Sequence, residues 1–465
     1  MNYYDIVIIG GGIAGIYTMY SLSIKFPDLK ILLLESNKRF GGRVYTYKKQ
    51  YDGKDYVMDL GAGRIGHHHQ LMVKLIKQLD LQDNIIDIDN TECYIEYNKS
   101  KKTSQDLSSI KRKASEYLTK LLHSKKIEKL ISSSYQMYFN KFLEKIIPKN
   151  ILDIIIKTFE YKNKLYYLNA KDAIDYFKYD YTETSRFFIM KNGISEIIDT
   201  MISKINTNSN CTIKNQCQVV DIYKNIGTDY YTIEYKNKKN NLKKNIKINC
   251  TNVVCALPRQ NLISFDIIKP YHEYLNSINE ISKVRIFEIY DTKLGNTCWF
   301  KDIKKTTTNT ELQFVIPINS STGLIMSSYC ENLSKHANYW VNVSKKGTQY
   351  LKKQINSMLR LVFNKNIPLS KWVKLHYWKS GVACWKSNVD SQYISKSIIN
   401  LMPNFYICGE NYSTYQAWCE GALLTSNSVI EKLSCEYKKT TRQNTRRNIR
   451  RNTRRNTRRN TRRNT

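Results

Sequence analysis

The sequence predicts an α/β (α+β) protein in which a Rossmann-like dinucleotide-binding domain is interleaved with a mixed-sheet and helical substrate domain, followed by a disordered basic C-terminal tail. Three observations predict it. An apolar, β-branched run at the chain start, Ile6 to Ile9, leads directly into Gly10, Gly12 and Gly15 and then into helical periodicity. A second strand–turn–helix pattern recurs near the other end, around Phe405 to Ala422. Helical stretches and runs of period two lie between them, and after Thr440 the chain becomes an arginine repeat.

The opening stretch, Tyr4 to Arg43, carries the most information. A run such as Ile6–Ile9 suits a parallel strand buried on both faces. Gly10 permits the tight turn, Gly12 lets a pyrophosphate approach the backbone, and Gly15 lets the helix pack closely on the strand. The helix N-terminus then offers backbone N–H groups to phosphate oxygens. A second strand, Lys30 to Leu34, ends in Glu35, 20 residues after Gly15. A carboxylate so placed accepts hydrogen bonds from a ribose diol. The continuation Arg39-Phe40-Gly41-Gly42-Arg43 exceeds what a nicotinamide dinucleotide needs. A longer, doubly anionic cofactor bridged by arginine accounts for it. On these residues the chain resembles the FAD-dependent amine oxidase family, which includes monoamine, polyamine and L-amino-acid oxidases. The resemblance implies a Rossmann-like FAD-binding domain, with Arg43 near the pyrophosphate.

Residues 44–58 read as a strand-and-turn excursion about Asp52-Gly53. The next run, Asp59-Leu60-Gly61-Ala62-Gly63-Arg64-Ile65-Gly66, is rich in small residues, so backbone can lie close to a flat ring. The resemblance implies that Gly63 and its neighbours pass the isoalloxazine. It also implies that Arg64 stands where L-amino-acid oxidases grip the substrate carboxylate, for which a bidentate arginine is physically apt. A contact to cofactor or to a structural acid is the alternative. From Gln70 to about Asn169 the pattern predicts an amphipathic helical insertion. Lys191-Asn192-Gly193-Ile194 then resembles the family's return to the cofactor domain, with Asn192 in place of one glycine. Cys217 to Ile222 reads as a strand, and the resemblance sets the Val219 backbone against adenine. Asn252 to Pro258 closes that segment.

Residues 263–397 carry alternating runs, such as Lys283–Tyr290 and Leu312–Ile318, that predict a mixed sheet. Much of the family has a lysine here that holds a water near flavin N5. The hydrophobic register puts Arg285 at that place, with Lys283 two residues away on the same face. In HYWKSGVACWKS, Trp385 resembles the first aromatic of the family's two-residue cage. Cys384 stands where monoamine oxidases bond the flavin, but the surrounding motif is missing. A non-covalent cofactor is therefore expected, with a link at Cys384 as the alternative. The closing stretch, Asn404 to Leu433, matches the family's last cofactor motif. The resemblance implies that Gly409 and Glu410 meet the ribityl or pyrophosphate region and that Trp418 is the second cage aromatic.

These assignments divide the chain into a discontinuous FAD-binding domain (1–70, 190–262, 398–437), a substrate domain (71–189, 263–397) and the tail 438–465. The formal charge is +34, and residues 441–465 hold 11 arginines without Lys, Asp or Glu. Such a repeat cannot bury enough surface to fold. Contact with nucleic acid or another polyanion is one use for it, and a solvated low-complexity expansion is the other. The 11 cysteines lack C-x-x-C pairing, which argues for reduced thiols and against a zinc site. Consecutive histidines, His67–His69, rarely converge on one ion, so no metal is expected. No apolar run approaches the ~20 residues of a membrane helix. A strand starting at residue 4 leaves no room for a signal peptide. The expectation is an intracellular, cytoplasmic protein without membrane anchor, neither secreted nor disulfide-bonded. The Asn/Ile/Lys-heavy composition fits an AT-rich genome such as that of a large DNA virus or a protist, which leaves a viral or virion-associated setting open.

The resemblance implies oxidation of an amine C–N bond to an imine, then hydrolysis to a carbonyl. Dioxygen would reoxidise the flavin and yield hydrogen peroxide. Trp385 and Trp418 would flank the amine, with Arg285 and Arg64 nearby. L-amino-acid oxidation through Arg64 is the near alternative. A catalytically inactive flavoprotein bound to nucleic acid through its tail is the distant one.

Overall fold

The computed structural model describes residues 2–89, 91–159, 161–180, 185–225, 227–239, 245–292, 298–331 and 335–438. The arginine repeat from Thr441 lies outside the described residues. The first strand, β1 (Tyr3–Ile9), has parallel partners on both sides. One is β2 (Ile31–Leu34), with Ile6 opposite Ile31; the other is the strand Ile246–Cys255, with Ile6 opposite Asn252. The helix α1 (Ile13–Lys25) makes the crossover between β1 and β2. Alternate residues of β1 enter different cores. Val7 and Ile9 face the core that contains the helical insertion, whereas Ile6 and Ile8 face α1 and the helix Ser195–Ile205. Both faces are covered, which is why this strand is uniformly apolar. Each such side chain, fully buried, contributes about 1.5–3 kcal/mol.

The sheet has eight strands, and its order decides the site. Phe405–Ile407 also pairs in parallel with Ile246–Cys255, on the side away from β1. Both ends of the chain therefore present the carboxyl ends of parallel strands at one sheet edge, about 10 Å apart across the intervening strand. Ligands of open α/β sheets bind at that edge.

A second, seven-stranded sheet runs in the order Trp372–Trp385, Ile278–Ile289, Leu324–Glu331, Phe314–Asn319, Lys305–Thr308, Glu92–Asn98, Thr103–Asp106. It corrects the expectation of an all-helical stretch from Gln70 to Asn169. Helix Gln70–Gln78 is followed by strands Ile85–Ile88, Glu92–Asn98 and Thr103–Asp106, and helix resumes only at Ser108. The reason is long-range pairing: Glu92–Asn98 lies parallel to Lys305–Thr308, with Tyr94 buried opposite Thr307. Nothing local announces a partner that far along the chain. The hairpin Thr46–Tyr51/Lys54–Asp59 forms as expected, with Asp52 and Gly53 both at positive φ (49° and 72°) in the turn. No helix among the described residues is long and apolar enough to cross a membrane.

Candidate active site

A cavity of about 1770 Å³ opens at the shared sheet edge. Sites for one small molecule measure about 300–1,000 Å³, so this one has room for an extended ligand and a second molecule. Its outer end is built by backbone. Helix α1 starts at Gly12 with no side-chain cap and no acid in its first turn, and Gly12, Ile13 and Ala14 line the wall. Its first N–H groups are thus available to an anion. A Cβ added to Gly12 would meet nothing closer than Gly42 Cα at 4.0 Å, so space is left there for a ligand. Glu35 Oε2 accepts from the Gly11 N–H at 2.8 Å, and Oε1 accepts from the Asn37 N–H at 2.8 Å. This fixes the carboxylate at the cavity lip. A phosphate cradle beside a held carboxylate suits a dinucleotide.

The two chain ends are clasped directly. Arg43 Nη1 donates to Glu410 Oε2 at 2.6 Å, and Nη2 donates to Asn411 Oδ1 at 2.9 Å. Glu410 Oε1 accepts from the Ala417 N–H at 2.6 Å and the Ala383 N–H at 3.2 Å. Ala417 is held at φ +75°, a conformation that costs a non-glycine residue on the order of 1 kcal/mol and here aims the next residue, Trp418, at the cavity. Arg39 plays a different part. It donates to the carbonyls of Phe40, Gly42 and Val44, and so shapes the Gly41-Gly42 loop.

The inner end is built by side chains. Gly61, Ala62, Gly63 and Arg64 form one wall. A Cβ on Gly63 would come within 3.0 Å of Arg285 Nη1, so this guanidinium lies directly on the glycine strip. Arg285 donates to the Asp59 carbonyl at 2.5 Å. The Asp59 carboxyl, pushed up to about 6 by burial, takes hydrogen bonds from Thr46 and the Ile194 N–H. Arg64 donates to the Tyr161 hydroxyl at 3.1 Å and lies over the rings of Phe187 (4.6 Å) and Trp418 (5.5 Å). Phe187 and Trp418 stack at 5.6 Å, and the His69 ring meets Trp418 at 4.7 Å. Lys283 lies between Glu331 Oε1 and the Tyr329 hydroxyl, 2.7 Å from each.

The cavity thus collects Gly10, Gly12, Glu35, Arg43, Gly63, Arg64, Arg285, Gly409, Glu410 and Trp418 of the residues expected from sequence, together with Lys283. Gly15 supports it from behind: a Cβ there would collide with the Gly10 carbonyl at 2.0 Å. Three expected residues lie elsewhere. Trp385 is fully buried outside the cavity wall, its indole N–H bound to the Ser413 carbonyl at 2.9 Å. Trp378, seven residues earlier in the same strand, faces the cavity instead, with its indole N–H on the Leu60 carbonyl at 2.7 Å. Cys384 is fully buried outside the wall, its Sγ 3.7 Å from Lys164 Nζ, and burial raises its thiol. Val219 sits at an irregularity of the strand Cys217–Lys224, also outside the wall.

Sequence reasoning missed Tyr161, Tyr329, Phe187 and Lys305. Phe187, Lys305 and Tyr329 lie in strands whose neighbours were unknown, and Tyr161 stands just before the short helix Lys162–Tyr167, where no motif marks it. It also missed Glu420, whose carboxylate accepts from the Leu71 and Met72 N–H groups and caps the helix Gln70–Gln78. All 11 cysteines are free thiols.

A family model described as flavin containing amine oxidoreductase matches residues 13–429. Amine oxidase [flavin-containing] A of Sus scrofa is 34% identical over 97 residues, covering 21% of this chain and 17% of that protein. The L-amino-acid oxidase of Crotalus adamanteus is 34% identical over 89 residues, covering 19% of this chain and 16% of that protein. These matches therefore span less than a fifth of the relatives' length. Among solved structures, a redesigned putrescine oxidase double mutant superposes with a TM-score of 0.69 at 12% identity, covering 93% of this chain and 99% of that one. A protein assigned as a protoporphyrinogen oxidase from Exiguobacterium reaches 0.67 at 14% identity, with 94% and 99% covered. At such identities these two likenesses show the fold.

Proposed function

The chain belongs to the flavin containing amine oxidoreductase family, and from that premise we propose that it binds FAD non-covalently and oxidises an amine to an imine, which water hydrolyses to a carbonyl. One observation carries the proposal: a single cavity joins a phosphate cradle to an inner end walled by Gly61–Arg64 and by Trp418, which Phe187 backs by stacking. In this reading α1 and Arg43 hold the pyrophosphate and Glu35 holds a ribose. Bound flavin supplies the two-electron acceptor for the C–H bond beside nitrogen, with dioxygen as final oxidant giving hydrogen peroxide. The residues do the rest. Trp418, held by its stack on Phe187, offers an apolar face to the substrate and excludes water from the reacting bond. Arg285, lying on the glycine strip, sets a positive charge there that favours negative charge as it develops.

Arg64 supports a second reading, an L-amino-acid substrate. Its guanidinium lies in the cavity wall against the Phe187–Trp418 stack, where a carboxylate could be gripped beside the aromatic faces. Peroxide release should be measured with benzylamine, putrescine and L-phenylalanine. If Arg64 binds carboxylate, Arg64→Ala raises KM for the amino acid by about 10²-fold, the size of a lost charged hydrogen-bonded pair, while sparing benzylamine. Equal losses on both would remove the carboxylate role. No peroxide or flavin reduction with any of the three would remove the oxidase reading.

A further inference from the structure

We propose that Tyr329 is the base that takes the ammonium proton from the substrate before its C–H bond is broken. The proposal rests on the amine-oxidation reading above. Amines reach an enzyme at neutral pH as ammonium ions, with pKa values of roughly 10. An ammonium nitrogen has no lone pair with which to assist departure of a hydride from the neighbouring carbon, so one proton has to leave first.

The geometry selects Tyr329. It stands on Leu324–Glu331, an interior strand of the second sheet, and lines the inner end of the cavity. Its ring is stacked on Phe314 at 5.5 Å, which fixes the ring plane. The Arg285 guanidinium lies 4.7 Å from the ring centre, and Lys283 Nζ lies 5.0 Å from it. Lys283 donates to the hydroxyl oxygen at 2.7 Å. Lys283 cannot be the base itself. Its ammonium is ion-paired to Glu331 at 2.7 Å, and that pairing holds its proton more tightly than usual despite burial. Glu331 is occupied on its other oxygen by the Asn163 amide. The neighbouring Tyr161, its ring 5.8 Å from Lys283 Nζ, takes its hydroxyl hydrogen bond from Arg64 and not from Lys283.

Among the described residues, the charged groups that act on Tyr329 are Lys283 and Arg285 from the neighbouring strand and Glu331 from its own. The two cations favour the phenolate, while burial and Glu331 oppose it; the cations prevail and the phenol lies below its ordinary range. In the step itself one substrate N–H bond breaks and one phenol O–H bond forms. The electron pair stays on nitrogen as the lone pair of the neutral amine. The proton later leaves to solvent through the open cavity.

The test uses the flavin-loaded protein, wild type against Tyr329→Phe, which keeps the ring and its stacking. Flavin reduction is followed anaerobically from pH 6 to about 10.5 with benzylamine, putrescine and L-phenylalanine. The expected result is a rate that rises with pH in the wild type and a rising limb displaced to alkaline pH by one unit or more in Tyr329→Phe. Loss of the base should slow reduction about 10²-fold at neutral pH, with recovery as the free amine becomes abundant. A tyrosinate absorbance titration gives a second readout. One tyrosine should ionise early in the wild type, vanish in Tyr329→Phe and ionise later in Lys283→Met. Turnover with an unmoved limb in Tyr329→Phe would overturn the base and leave amine oxidation standing. An early tyrosinate with no amine able to reduce the flavin would overturn the amine reading, and this step with it.

Discussion

The two ends of the cavity are built on different plans. The outer end is backbone: Gly10, Gly12, the uncapped start of α1 and the held carboxylate of Glu35, all within the first 35 residues. The inner end is side chains gathered from distant places: Arg64, Tyr161, Lys283, Arg285, Tyr329 and Trp418. Backbone recognition of a phosphate needs glycines at fixed spacing, so it leaves a local trace that survives almost any change in the rest of the chain. A cluster of side chains needs only residues that happen to face one point. Its trace appears once strands are paired, because a shift of one residue sends a strand's side chains to its opposite face.

If this contrast is sound, breaking the backbone end should do the most damage. Gly15→Ala places a methyl group 2.0 Å from the Gly10 carbonyl, and neither backbone can yield without moving α1 off β1. The expected loss is about 3 kcal/mol or more in urea unfolding, together with loss of bound flavin. Retained flavin and unchanged stability would mean that the close approach is not required.

Asp59 sits on the boundary between the two ends and gives a pH signature. Its carboxyl is raised to about 6 in the fold, against roughly 4 when unfolded, so the protonated form is favoured in the native state. The associated stabilisation is full below about pH 4 and is lost as pH rises through 6. Asp59→Asn should lack this dependence, and its stability relative to wild type should climb by about 2 kcal/mol between pH 4 and pH 7. Parallel stability–pH curves would show that Asp59 titrates normally.

The smallest effect separates two tryptophans. Trp385→Phe removes a buried indole N–H bond to Ser413, with an expected destabilisation of about 1–2 kcal/mol and kcat/KM within about twofold of wild type. Trp418→Phe should do the reverse, lowering kcat/KM while leaving stability within about 0.5 kcal/mol. The opposite pattern would return Trp385 to the substrate side.

The same contrast explains what could be read from the chain. Both strand–turn–helix corners were legible, since Gly10 to Glu35 and Phe405 to Ala422 are local patterns. So was Arg64, because the glycines around it mark its place. The strand Glu92–Asn98 was not, because its partner Lys305–Thr308 comes more than 200 residues later. Trp385 was misplaced for a related reason. The register between Ile278–Ile289 and Trp372–Trp385 shifts between Ile281 and Lys283, and Lys283 then pairs with Trp378. Counting along the sequence cannot foresee such a bulge. Tyr329 and Lys283 meet across adjacent strands, so their contact depends on a pairing that no local motif announces.

The central claim is that Gly12 at one end of the chain and Glu410 at the other close around a single flavin dinucleotide. Its most direct test is the visible absorption spectrum of the purified protein, recorded before and after acid precipitation, with the released chromophore identified by mass. The account predicts a yellow protein with one FAD per chain that appears in the acid supernatant. A colourless protein that also fails to take up added FAD would contradict it.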